Sequence, residues 1–192
     1  MTVLETIQKS AEFLGKKNVE SSRLQAELLL AHLLKLPRMN LYLNFERALS
    51  EKEINDFREL IKRRAAREPL QHIVGSTNFC GFEIAVNRHA LVPRPETELL
   101  VEFGWKFLST INHQPSTALD FGTGTGCIAI SLAAKCPGAK IFALDISADA
   151  IALAKQNAEA NTLSERIEFV LVESKNSSFA SLSSVKALAK LL

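Results

Sequence analysis

The stretch Ala118-Leu119-Asp120-Phe121-Gly122-Thr123-Gly124-Thr125-Gly126-Cys127-Ile128-Ala129-Ile130 decides how the rest of the chain is interpreted. Its first four residues suit a short buried strand, and a loop with glycine at every second position follows. An apolar helix is predicted from Cys127 to about Lys135. Closely spaced glycines let the backbone turn sharply and present N–H groups at the positive end of a helix dipole. The stretch therefore predicts an α/β fold with a nucleotide-type pocket.

The glycine spacing distinguishes two classes of nucleotide pocket. The dinucleotide fingerprint G-x-G-x-x-G/A, counted from Gly122, places Cys127 where a third small residue is needed, so it fits poorly. An acid at the strand end, Asp120, would face the pyrophosphate of a dinucleotide but suits a ligand with an ammonium and a sulfonium group. The pattern favours S-adenosyl-L-methionine, and a NAD-type oxidoreductase is the weaker alternative.

A second acid ends the next predicted strand. The stretch from Lys140 to Asp145 is apolar, and its final carboxylate can accept hydrogen bonds from both ribose hydroxyls of a nucleoside. Together the two acids and the glycines predict a class I methyltransferase fold, with a Rossmann-like parallel sheet. The alternative is a glycine-rich turn and a surface aspartate that have this spacing by chance. The predicted cofactor-binding residues are Asp120, Gly122, Thr123, Gly124, Thr125, Gly126 and Asp145.

Composition limits the class of protein. The 192 residues are 47% hydrophobic and 23% charged, and the net charge of +2 gives no strong attraction to nucleic acid. No run approaches the roughly 18 apolar residues of a membrane span, and the first residues lack the pattern of a signal peptide. The cysteines and histidines show no metal-ligand spacing, so free thiols and no metal are expected. We expect a cytoplasmic monomer that contacts neither a membrane nor nucleic acid directly.

Residues 1–68 predict a small helical bundle, because apolar residues recur there with helical spacing. The predicted helices cover residues 2–14, 22–36 and 50–68. Ser22 with Gln25, and Ser50 with Glu53, have the capping-box spacing that starts a helix. The segment 39–45 between the second and third helices is predicted to be a linker.

A basic run lies at the end of the third predicted helix, where Arg58 to Arg67 reads RELIKRRAAR. One interpretation is a contact patch for an acidic partner or RNA. The other is a solvated helix end, where the helix dipole favours cations. No aromatic residues are interleaved with the charges, which favours the second interpretation.

From residue 69 the apolar pattern changes to alternation. Segments 71–75 and 77–87 predict a strand pair that turns near Cys80-Gly81, and so a β-hairpin linker over residues 69–90. In the following stretch, Leu91 to Glu98, two prolines hold the backbone extended. Pro95 and the acids after it suit the first turn of a helix that continues to Leu108.

Three sequence words and their order after a helical domain resemble the bacterial release factor glutamine N5-methyltransferases. The words are R-E-P-L-Q-H-I-V-G (67–75), L-V-P-R-P-E-T-E (91–98) and D-F-G-T-G-T-G (120–126), and the resemblance covers about residues 1–173. It implies an enzyme that uses S-adenosyl-L-methionine to methylate the side-chain amide nitrogen (N5) of a glutamine in a peptide chain release factor. It also implies that the helical domain docks the release factor.

The same resemblance implies roles for two further parts of the chain. A segment beside the methionine end of the cofactor comprises Arg94, Pro95, Glu96, Thr97 and Glu98. The α/β alternation continues with a helix over residues 147–160 and a strand over 166–172. Glu173 then stands about where similar enzymes place an acid for the adenine amino group, so it joins the predicted cofactor-binding set.

The chain departs from the family after Glu173. Residues 174–192 are rich in serine, whereas the family continues into a fourth strand that ends in Asn-Pro-Pro-Tyr, the motif that grips the substrate amide. No Pro-Pro pair occurs in the 192 residues. An amide nitrogen is a poor nucleophile because its lone pair is delocalised, so transfer requires acceptors that hold both N–H groups in line with the methyl group.

The sequence therefore predicts a C-terminally truncated enzyme. Residues 91–192 would form a partial methyltransferase domain with an atypical tail over 173–192 and no assignable catalytic residue. Its incomplete sheet would leave an apolar strand edge at 118–121 unpaired, which predicts marginal stability. We expect little or no activity from this chain, and the alternative function is a non-catalytic module that binds a release factor.

Overall fold

A computed structural model describes residues 1–110 and 116–172 of the chain. Predictions for Glu173 and for the serine-rich tail fall outside the described residues. The chain divides into two compact units, Met1–Ser76 and Thr77–Leu192, and each is described by itself. No helix in the described residues is long and apolar enough to cross a membrane.

The first unit is helical. Its helices are α1 (Val3–Lys16), α2 (Ser22–Leu34), α3 (Arg38–Tyr42), α4 (Glu51–Ala65) and α5 (Leu70–Val74). Helix α2 lies at the centre and contacts the four others. Fully buried side chains such as Leu14, Leu29, Leu30 and Phe57 form one core among them. The predicted helical bundle is confirmed, with two more short helices than the sequence indicated.

Capping explains where two of these helices begin. Ser50 precedes α4, and its hydroxyl and the Glu53 carboxylate form the predicted reciprocal box. Thr2 and Glu5 form a second box at the start of α1, with N–O distances of 3.2 and 3.0 Å. The predicted box at Ser22 is wrong, because the residue before α2 is Ser21. Ser21 has a left-handed backbone (φ 48°) and makes no side-chain cap.

Two short segments differ from the prediction. The predicted linker at 39–45 overlaps α3, and the predicted strand at 71–75 overlaps the helix α5. A proline with extended backbone precedes each helix, at Pro37 and Pro69, and each helix buries one apolar anchor, Leu41 or Ile73. A five-residue segment is too short for apolar periodicity to distinguish helix from strand, which explains both errors.

The basic run at the end of α4 is used within the helical unit. Arg63 forms a 2.6 Å ion pair with Glu68, and Arg64 donates to the Gln25 side chain and to the Glu68 carbonyl. Arg67 donates to the carbonyl groups of residues 17 and 18, which follow α1, at 2.9 and 3.0 Å. These contacts favour the interpretation of the run as a helix-end structure over a dedicated partner patch.

The second unit starts with a hairpin and continues as alternating helices and parallel strands. Its elements are β1 (Ser76–Phe79), β2 (Phe82–Ala85), α6 (Thr97–Thr110), β3 (Thr117–Phe121), α7 (Cys127–Lys135), β4 (Lys140–Asp145), α8 (Ala148–Ala160), a 3₁₀ turn (Ser164–Arg166) and β5 (Ile167–Leu171). The hairpin turns at Cys80 and Gly81, as predicted. Both residues have positive φ, 51° and 87°, which is typical of a type I′ turn.

The parallel sheet has the strand order β3-β4-β5 in the described residues. Thr117 pairs with Lys140 and Ile141 pairs with Ile167, so all three strands end at the same edge of the sheet. The central strand β4 is buried from Ile141 to Leu144. This arrangement confirms the predicted strands and positions the loop after β3 beside the end of β4.

Two elements of this unit carry exposed apolar residues, the strand β3 and the helix α6. In the described residues β3 pairs only with β4, and its Leu119 and Phe121 are 43% and 55% exposed. On α6, an apolar face consists of Leu99, Leu100, Phe103 and Phe107, all more than half exposed. The spacing of these residues places them on one stripe of the helix. We refer to this stripe as the α6 face.

Candidate functional site

The glycine loop, residues 122–126, connects β3 to α7. Gly122, Gly124 and Gly126 all have left-handed backbones, with φ of 76°, 54° and 79°. The N–H groups of Gly122 and Thr123 each donate to the Leu144 carbonyl at 2.8 Å. The loop is therefore fastened to the carboxyl end of β4, the position where ligands bind in open α/β sheets.

The three glycines have different surroundings. A Cβ atom added to Gly126 would lie 3.0 Å from Cβ and 3.2 Å from Cα of Ala154, so a side chain there would crowd α8 and force it to shift. A Cβ added to Gly122 would meet nothing within 4 Å. One glycine thus allows close packing of the loop on a helix, while the other leaves open space over the backbone, as a ligand cradle requires.

Asp120, the acid at the end of β3, is turned inward. Only 8% of the residue is exposed, and its carboxylate accepts a 2.7 Å hydrogen bond from the Thr123 hydroxyl. The backbone N–H of Ala129, in the first turn of α7, also hydrogen-bonds to this carboxyl group. Burial raises the pKa of Asp120, and the charge of Asp145 adds to the rise. Asp120 thus holds the loop and the start of α7 together from beneath.

Asp145 ends β4 and is half-buried at the edge of the sheet. One carboxylate oxygen accepts the N–H of Gly124 and the other accepts the N–H of Ser147, both at 2.9 Å. The Ser147 hydroxyl in turn caps α8 by accepting the N–H of Ala150. The structure therefore brings Asp145 and the glycine loop together, as the sequence predicted for a shared pocket.

The proline segment, residues 94–98, is anchored to the hairpin. The Glu98 carboxylate accepts the N–H of Cys80 at 2.8 Å, and α6 begins at Thr97. Arg94, Pro95 and Glu96 are exposed. Their side chains make no hydrogen bond or ion pair within the described part of the chain. Their role beside the cofactor stays a prediction.

Two domain models match the chain. Residues 5–75 match a PrmC N-terminal domain, and residues 101–181 match a methyltransferase small domain. Over 182 residues the chain is 42% identical to a release factor glutamine methyltransferase from Chlorobaculum tepidum, an alignment that covers 93% of this chain and 62% of that protein. The chain is thus similar to a release factor glutamine methyltransferase over most of its own length.

Other members of this group give the same picture. The enzyme of that name from Leptospira interrogans is 45% identical over 82% of this chain and 54% of its own length. The one from Geobacter sulfurreducens is 41% identical over the same shares of the two chains. The chain therefore spans little more than half the length of these curated relatives, and it contains the glycine loop and Asp145.

Asn157 of the present chain is a residue of the candidate site that the sequence analysis missed. It lies on α8 and is 1% exposed, and its side chain hydrogen-bonds to Thr125 of the glycine loop and to Ala85 of β2. A polar residue next to the apolar positions Ala154 and Ala158 was the available signal. The sequence did not indicate which backbone groups it would meet.

Cys127 is the first residue of α7 and closes the glycine loop. A thiol at a helix N-terminus is often acidic, but burial raises the pKa of Cys127 to about 11 despite a hydrogen bond from Thr125. Cys80 and Cys136 are half-buried, and all three cysteines are free. Cys127 thus has the character of a packing residue.

Proposed function

We propose that the protein binds S-adenosyl-L-methionine at the glycine loop and acts in the methylation of the N5 amide nitrogen of a glutamine in a peptide chain release factor. The observation that carries this proposal is the 42% identity over 182 residues, which extends through both the helical unit and the loop. The two domain matches lie in the same order along the chain.

The residues of the loop fit this cofactor. Both oxygens of Asp145 accept backbone N–H groups and each retains a lone pair, so they are able to accept the two hydroxyls of a ribose. Gly122 leaves space for close approach of a ligand to the backbone. When bound, the cofactor would supply a methyl group activated by its sulfonium. Gly122 to Gly126 would hold its nucleoside and methionine portions, and the buried Asp120 would contribute negative potential beneath them.

Transfer to an amide needs acceptors for both N–H groups of the glutamine. The family motif that supplies them, Asn-Pro-Pro-Tyr, does not occur in these 192 residues. We therefore propose that this chain binds cofactor and release factor but transfers methyl groups slowly or not at all. A release-factor-binding module is the second candidate function, favoured by the helical unit, which has its own buried core and matches a PrmC N-terminal domain.

Binding and turnover are tested separately with the full 192-residue chain. Calorimetry with S-adenosyl-L-methionine should give binding that S-adenosylhomocysteine displaces and NAD does not. Asp145→Asn should weaken binding by about tenfold or more, since a charged acceptor is lost. Asp149→Asn is the matched control, because Asp149 lies four residues away, is exposed and pairs only with His89 in the described structure.

Turnover is measured by incubating the chain with methyl-labelled cofactor and a purified release factor. We expect the release factor to be retained on the immobilised chain without label on its glutamine. Label transfer would contradict the proposed loss of activity. Absence of cofactor binding, or displacement by NAD, would contradict the proposed cofactor.

A further inference from the structure

We infer that Asn157 is a positioning residue that fixes the glycine loop relative to the β1–β2 hairpin. Its amide nitrogen donates to the Ala85 carbonyl at 3.0 Å and to the Thr125 carbonyl at 2.9 Å. Its amide oxygen accepts the N–H of Ala85 at 2.8 Å. One buried side chain on α8 thus joins backbone groups of the strand β2 and of the glycine loop.

The chemistry of this position requires an amide. Two donors must face two carbonyls while one acceptor faces an N–H, and asparagine has that combination on one short side chain. Aspartate would place acceptor oxygens against the carbonyls of Ala85 and Thr125. An apolar residue of similar size would leave the buried Thr125 carbonyl and the part-buried N–H and carbonyl of Ala85 without this partner, which is destabilising.

Asn157 is part of a longer contact between α8 and residues 83–90. From the end of α8 toward its start, the contacts are Asn161 to the Glu83 carbonyl (3.0 Å), Asn157 to Ala85, and Asp149 to His89 (3.0 Å). Among these helix side chains, only Asn157 also hydrogen-bonds to the glycine loop. It is therefore the point at which a shift of the hairpin segment would be transmitted to Thr125.

The functional consequence rests on the proposed cofactor site. Residues 83–90 lead directly into the segment 91–98, and the glycine loop lies on the other side of Asn157. Ala90 also lies near the loop, since a Cβ added to Gly124 would be 3.7 Å from Cβ of Ala90. Asn157 fixes the glycine loop relative to the chain that leads into segment 91–98. A ligand therefore meets a loop that is already held in its binding conformation.

The test compares Asn157→Asp with Asn161→Asp in the full chain. Asn161 also joins α8 to the hairpin but does not bond to the loop, which makes it the matched control. Amide hydrogen exchange of residues 122–126 is measured without any cofactor, and the affinity for S-adenosyl-L-methionine is measured by calorimetry. Asn157→Asp should speed exchange in the loop and weaken binding by about tenfold. Asn161→Asp should loosen only the hairpin.

Equal loop exchange in the two variants would overturn the positioning role. If Asn157→Asp does not fold, Asn157→Ser is measured instead, because its small hydroxyl admits water to the freed carbonyls while the same prediction for the loop holds. The exchange experiment needs no cofactor. Selective loosening of the loop in a chain that fails to bind S-adenosyl-L-methionine would therefore reject the proposed function and leave the role of Asn157 intact.

Discussion

Among the described residues, each unit of the molecule buries one carboxylate, and the partners of these two carboxylates differ. Glu27 in the helical unit accepts hydrogen bonds from Arg23, Arg38 and Tyr42 at 2.8 to 3.1 Å. Burial would raise the pKa of Glu27, but these donors outweigh it and the pKa is lowered. Asp120 in the second unit has one hydroxyl and one backbone N–H as partners, and burial raises its pKa.

The partners of Glu27 stabilise its ionised form, whereas burial disfavours the ionised form of Asp120. Two guanidinium groups and a phenol compensate Glu27, so the helical unit is most stable with Glu27 ionised. Asp120 lies beneath the glycine loop with a neighbouring carboxylate, and no cation pairs with it among the described residues. Groups with such perturbed pKa values concentrate at functional sites, which fits the position of Asp120 in the candidate pocket.

The substitution Gly126→Ala is expected to give the largest difference in stability between the two units. The new Cβ would clash with Ala154 and the residue would keep a positive φ, so we expect the second unit to lose roughly 3 kcal/mol of unfolding free energy. Gly122→Ala is the control, because only the backbone penalty of roughly 1 kcal/mol applies there. Hydrogen exchange resolved by peptide measures both, and equal losses for the two variants would contradict this account.

The next effect concerns the helical unit alone. Arg38→Met removes the less exposed of the two cations that compensate Glu27, so we expect it to cause the larger loss of stability in the first unit. Arg23→Met removes the cation whose side chain is 60% exposed, and should lose less than about 1 kcal/mol. Urea unfolding of each variant, followed by exchange in residues 22–42, tests this order. A larger loss for Arg23→Met would reverse it.

The smallest effect is a difference in pH dependence. The pKa of Glu27 is below its ordinary 4.5, so the stability it contributes is present above pH 4.5 and lost as pH falls through its folded-state pKa. The pKa of Asp120 is above its ordinary 3.8, so its contribution is largest below pH 3.8 and declines as pH rises through the folded-state pKa. Acidification should therefore weaken the first unit and favour the second.

Hydrogen exchange at pH values from about 3.5 to 7 measures the stability of each unit. This interval spans roughly the range in which such carboxylates titrate. Asp120→Asn should remove the rise in stability of the second unit on acidification, because the amide does not titrate. Glu27→Gln should flatten the loss in the first unit. Parallel pH profiles for the two units of the wild-type chain would show that the two carboxylates do not differ as described.

The sequence predicted most reliably where the signal was local. Ser50 with Glu53, the turn at Cys80-Gly81 and the strand that ends at Asp145 each depend on a few adjacent residues, and the structure confirms them. The segment 71–75 was mistaken for a strand because its alternation spans too few residues, whereas Pro69 and the buried Ile73 fix a helical turn.

Tertiary contacts account for what the sequence did not show. The acids at 120 and 145 were both predicted to face a ligand. Strand alternation alone does not reveal that Thr123 and the start of α7 would fold over Asp120. Asn157 was missed for the same reason, because its three partners come from residues far away in the sequence. The α6 face was not predicted, because the sequence analysis expected an exposed apolar edge only at strand 118–121.

The buried thiol of Cys127 gives the loop a chemical reporter. A pKa of about 11 keeps this group protonated at neutral pH, so alkylating reagents react with it only when the loop and the start of α7 open. Mass spectrometry would measure the rate of Cys127 modification alongside the half-buried Cys80 and Cys136. That rate reports how often the loop opens in the native protein. A ligand that closes the loop should slow alkylation of Cys127 selectively. Alkylation of the native chain can therefore be used to screen for ligands.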